Sequence, residues 1–89
     1  MTKLKEMADY LLDDQNKIDN ELFFITVKID GAERDEMIIN HVSQLEHKVA
    51  YYEHTYDEDL HHKHGNVEII DYGFIPGASR LSNELEELI

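Results

Sequence analysis

Leu4, Ala8, Leu11, Gln15 and Ile18 recur at alternating steps of four and three residues, Met7 and Leu12 widen the stripe, and Asp9, Asp13, Asp14 and Lys17 lie opposite. This spacing predicts an amphipathic helix that Thr2 caps at its start and Asn20 ends in a left-handed conformation. The period then changes to two. Phe23, Ile25, Val27 and Ile29 alternate with Leu22, Phe24, Thr26 and Lys28, which predicts a strand with one dry face, and Asp30-Gly31 breaks the run with a turn.

From Asp35 onward the apolar positions Ile38, Val42, Leu45, Val49, Tyr52, Tyr56 and Leu60 return at steps of four and three. Read as one seam, they predict a helix of about 25 residues, capped by Asp35 and stopped at Gly65-Asn66. Val67 to Ile75 is rich in Val, Ile, Tyr and Phe and predicts a second strand, interrupted by Gly73 and ended by Pro76-Gly77. Leu81, Leu85, Leu88 and Ile89 predict a short C-terminal helix capped by Ser79 or Ser82. The expectation is a single α+β domain over residues 1–89 in the order α-β-α-β-α. One long central helix packs on a two-stranded sheet. Two strands make a marginal sheet with two open edges, so completion by a second copy, a homodimer, is expected as well.

Charge changes the picture more than any motif. The chain holds 20 acidic residues against 8 basic ones in 89 positions, a formal net of −12, distributed along the whole length. Acids interleaved with apolar residues at helical and strand spacing decorate a folded surface, and the complementary partner is basic. Phosphate backbones and anionic lipid surfaces would repel such a chain, which argues against direct nucleic-acid or membrane binding. With no cysteine there are no disulfides, thiolate metal sites or cysteine nucleophiles. The N-terminal residues acquire acids at once and carry no signal or spanning segment, so a cytoplasmic protein is expected.

Enzymatic chemistry has little support, and no enzyme and no cofactor are expected. Ser43, Ser79 and Ser82 lack a glycine elbow, there is no glycine-rich phosphate loop, and the residues from Asp30 miss the calcium-loop pattern. The six histidines raise a metal question, because His47, His54 and His61 stand one heptad apart on the expected helix. His54, Glu58 and His61 are the candidate ligands, and Glu58-Asp59-Leu60-His61 spells the Glu-x-x-His of di-iron bundles. The simpler account is an exposed helix face of paired histidines and acids. Tyr51 beside Glu53, Asp57, Glu58 and Asp59 combines rigid aromatic contact area with carboxylates, the pattern suited to Arg and Lys on a partner.

In size and charge the chain resembles the small acidic inhibitors that phages and mobile elements make against host defence nucleases, including anti-CRISPR and anti-restriction proteins. The resemblance rests on gross properties and carries no site residue with it. It implies a protein that occupies a basic, nucleic-acid-handling surface of a host nuclease or other nucleic-acid-binding protein, with Tyr51, Glu53, Asp57, Glu58 and Asp59 as the contact strip read from the residues themselves. A dimeric regulatory module using the long helix, and a His/acid metal-binding protein, are the competing readings.

Overall fold

The computed structural model describes residues 1–77, which form α1 (Lys3–Leu11), α2 (Asp14–Asp19), β1 (Leu22–Ile29), β2 (Glu36–His41), a 3-10 turn (Val42–Gln44), α3 (Leu45–Thr55) and β3 (Val67–Ile75). The expected C-terminal helix lies outside the described residues. The strands make one antiparallel sheet in the order β2-β1-β3, with the first strand of the chain at its centre.

The expected two-stranded sheet and long central helix are therefore both corrected. Residues 36–41 form a third strand, and the helix occupies only Leu45–Thr55. The cause is local and tertiary together. Met37-Ile38-Ile39 favours extended backbone, Gly31 at φ +85° lets the chain turn back, and β1 supplies a complete set of partners from Leu22↔His41 to Val27↔Glu36. Because the third strand comes from the same chain, no second copy is needed to complete the sheet.

The first helix also differs from its expected form. Thr2 caps it, its Oγ1 accepting from the Lys5 N–H at 3.1 Å, but the helix stops at Leu11. Asp13 then opens α2, its carboxylate accepting from the N–H groups of Gln15 (2.9 Å) and Asn16 (3.3 Å). This fresh cap rephases the stripe, and Ile18 ends 77% exposed. Asn20 is extended rather than left-handed, and its side-chain amide donates to the Asn16 carbonyl at 2.8 Å.

The core lies on one face of the sheet. Phe23, Ile25 and Val27 of β1 and Ile69 of β3 meet Met7, Ala8 and Leu11 of α1 and Leu45, Val49 and Tyr52 of α3, with Tyr56 and Leu60 from the segment that follows. Leu45, Val49 and Tyr52 are spaced i, i+4, i+7, so one stripe of α3 faces inward. Tyr10 of α1 packs at 5.6 Å ring separation from both Tyr72 and Phe74 and seats α1 over β3. Among the described residues, no helix is long and apolar enough to cross a membrane.

Candidate functional site

Beyond α3 the chain makes a tight turn whose backbone is unusually well tied. Tyr56 closes the helix by donating its N–H to the Tyr52 carbonyl at 2.8 Å and then turns extended. Asp57 takes over: its Oδ1 accepts from the N–H groups of Asp59 (2.9 Å) and His61 (3.0 Å), its own N–H donates to the His61 carbonyl (2.8 Å), and its carbonyl accepts from Leu60 (3.0 Å). An aspartate that captures backbone donors in this way competes directly with helical hydrogen bonding, and so the helix ends before it. The hydrogen bond from the His61 N–H holds the Asp57 carboxyl below its ordinary range, helped by the Asp59 N–H and the nearby His61 and Lys63.

Leu60 completes the turn with φ +68°, a left-handed conformation that costs a leucine about 1 to 3 kcal/mol. Burial of its side chain in the core offsets that cost. The turn also reaches the other helix: the Glu58 carbonyl accepts from the Leu4 N–H at 3.1 Å and satisfies one of the orphan donors at the start of α1. Neither Leu60 nor this α1 contact is visible in the periodicity. An Asx turn after Tyr56 could have been read from Asp57 and its following polar residues.

The tied backbone presents an acidic strip. Glu53 on α3 and Glu58 and Asp59 on the turn are exposed, and no lysine or arginine occurs between Tyr51 and His61. Tyr51 is 53% exposed, its ring edge-on to the buried Tyr52 at 5.8 Å, while Glu53, two residues further along α3, lies within electrostatic reach of Lys5 on α1. Burial pushes the Tyr52 hydroxyl up to about 12, with the adjacent tyrosines adding to the effect, and burial raises Tyr56 in the same direction. Asp59 continues into a shallow groove with Glu6, Glu68, Ile69, Ile70 and Tyr72, where Lys3 is the basic residue. Asp57, the remaining member of the expected strip, has its carboxylate engaged within the turn.

The histidines do not form the line expected on one long helix. His54 belongs to α3, while His61 lies on the turn with Nε2 at 3.1 Å from Glu68 Oε2 of β3. Glu58 and His61 sit on a turn rather than on a helix face, so their Glu-x-x-His spacing does not have bundle geometry. His62 stacks edge-on with Tyr56 at 5.4 Å, and its Nδ1 accepts from the His64 N–H. Among the described residues, no group of three or more His, Asp or Glu side chains is placed to hold a metal ion.

Comparison with protein-family models, with curated proteins and with solved structures gives no match for the chain.

Proposed function

We propose that this protein is a small acidic inhibitor that binds a basic protein and blocks its nucleic-acid-handling surface, in the manner of phage or mobile-element anti-defence proteins such as anti-CRISPR proteins. The observation that carries the reading is the exposure of Glu53 at the end of α3 and of Glu58 and Asp59 on the hydrogen-bonded turn that follows, with exposed Tyr51 on the same helix, in a chain of net −12. Fixed carboxylates can stand where a nucleic acid presents phosphates, steering association with a basic groove and competing for it. The aromatic ring adds contact area that loses little entropy on binding.

The test is capture of partners from host lysate after nuclease digestion, followed by titration of the purified partner. Reversal of Glu53, Glu58 and Asp59 to lysine alters the charge by six units and leaves the core and the Asp57 turn in place. Partner binding and inhibition should both fall at least tenfold, and wild-type binding should weaken steeply between 50 and roughly 500 mM salt, where the screening length drops below about 5 Å. A complex indifferent to both changes would defeat the reading.

A further inference from the structure

The two edges of the sheet are treated differently. The free side of β3 is covered near its start by its own chain, where the Ile69 N–H donates to the Leu60 carbonyl (2.9 Å) and the His62 N–H donates to the Val67 carbonyl (2.8 Å). A bulge then shifts the register of β3 between the partners of Thr26 and Val27. Coverage and bulges are both ways of protecting an edge from pairing with another chain.

Among the described residues, strand β2 has neither. Its register with β1 runs without a shift from Leu22↔His41 to Val27↔Glu36, and it forms the end of the sheet order. Met37, Ile38 and Ile39 are 55%, 40% and 50% exposed on it, a run of three large apolar side chains with no lysine or proline to discourage pairing. Met37 and Ile39 share the face opposite the core with Thr26 and Phe24, their directly opposed neighbours on β1. An added strand would thus gain main-chain hydrogen bonds and apolar side-chain contacts together.

We propose that the free edge of β2 is a docking site for an extended, basic segment of a partner protein, which adds to the sheet as a fourth strand. Charge selects this occupant. The segment leading into β2 carries exposed Asp30, Glu33, Asp35 and Glu36 against Arg34. A second copy would bring the same net −12 to the edge, and residues 78–89 bring Glu84, Glu86 and Glu87 against Arg80. Like charge disfavours both, whereas lysines alternating with apolar residues would set cations beside the acids and apolar side chains beside Met37 and Ile39. The proposal rests on the basic-partner reading and adds a second point of contact to the acidic strip.

The full chain is titrated with an eight-residue peptide alternating lysine and valine, with its glutamate counterpart, and with a lysine-valine peptide interrupted by proline, while amide exchange is followed by NMR. The lysine-valine peptide is expected to slow exchange at least tenfold at those amides within residues 37–41 that point away from β1. The other two peptides should not, and Ile39→Lys or Met37→Lys should weaken the effect at least tenfold in a folded protein. Equal protection by the glutamate peptide overturns the proposal, as does no protection at millimolar peptide. Protection of this edge in the free protein also overturns it, identifying a second copy if the mass doubles and the chain's own terminal residues if it does not. Partner binding that survives both β2 substitutions but is lost on reversal of Glu53, Glu58 and Asp59 rejects the edge site and leaves the inhibitor reading intact.

Discussion

Phe24 lies across Gly73. The two residues face each other on β1 and β3, and a Cβ built on Gly73 would come within 2.9 Å of two carbons of the Phe24 ring. The glycine that the sequence suggests as an interruption of β3 is instead the seat for an aromatic ring on the sheet face away from the core. Such cross-strand pairing recovers packing that a glycine alone would forfeit in a strand.

Gly73→Ala should therefore destabilise the fold by about 1 kcal/mol, because the ring must move off the strand. In a Phe24→Ala background the same substitution should cost less, since the conflict is gone and alanine is the better strand residue. Denaturant melts of the four proteins in this double-mutant cycle measure the coupling. Equal costs in the two backgrounds would show that the ring does not constrain Gly73.

The inward stripe of α3 and the exposed strand before it should respond very differently to truncation. Leu45 is fully buried, and Leu45→Ala should cost roughly 2 to 4 kcal/mol, a large part of the stability of a domain this size. Ile38→Ala, at a position 40% exposed, should cost less than about 1 kcal/mol. Thermal melts of the two variants check the pair of values. Similar losses would place Ile38 and Leu45 on the same buried seam.

That contrast shows where the sequence is and is not legible. The dry face of β1, the Thr2 cap, the stripe Leu45-Val49-Tyr52 and the span of β3 follow from local periodicity and capping chemistry. Ile38 and Val42 extend that stripe only by coincidence of spacing. Two positions cannot separate a helical period from a strand and a 3-10 turn, and pairing with β1 decides for the strand. The breaks at Asp13 and Asp57 escape periodicity for a different reason, because each depends on one carboxylate capturing backbone donors. For the candidate site, the sequence places Tyr51, Glu53, Glu58 and Asp59 close along the chain, and the structure leaves all four exposed. The separation of His54 from His61 follows from the early end of α3, which histidine spacing cannot report.

Alkaline pH should loosen the core through Tyr52. Its folded pKa, about 12, lies above the ordinary value of 10, because burial disfavours the phenolate. The unfolded chain then releases its proton first as pH rises, so the contribution to stability is complete below about pH 10 and is lost between there and pH 12. Full ionisation would remove roughly 2 kcal/mol from this group. Tyr52→Phe should retain more stability over that window, as followed by urea midpoints at pH 8, 10 and 11. An unchanged alkaline slope in this variant would assign the loss to other groups.

Asp57 separates the structural part of the acidic strip from the part available to a partner. All four acids are exposed, but the Asp57 carboxylate holds two backbone N–H groups of the turn. Asp57→Ala should lower the thermal midpoint, since two backbone N–H groups of the turn lose their acceptor, and Asp57→Asn should recover much of the loss because an amide oxygen can still accept. The reversal of the three exposed acids should instead change stability by less than about 0.5 kcal/mol per position. Acid adds an independent check. The folded pKa of Asp57 is depressed, so its contribution is present above the ordinary carboxylate pKa and fades only as pH falls through the lower folded value. The wild type and Asp57→Asn, which differ at pH 7, should therefore begin to converge in stability below about pH 4 and meet only once the pH is under the lower folded value. A constant difference from pH 7 to pH 2 would mean that the charge on Asp57 has no part in holding the turn.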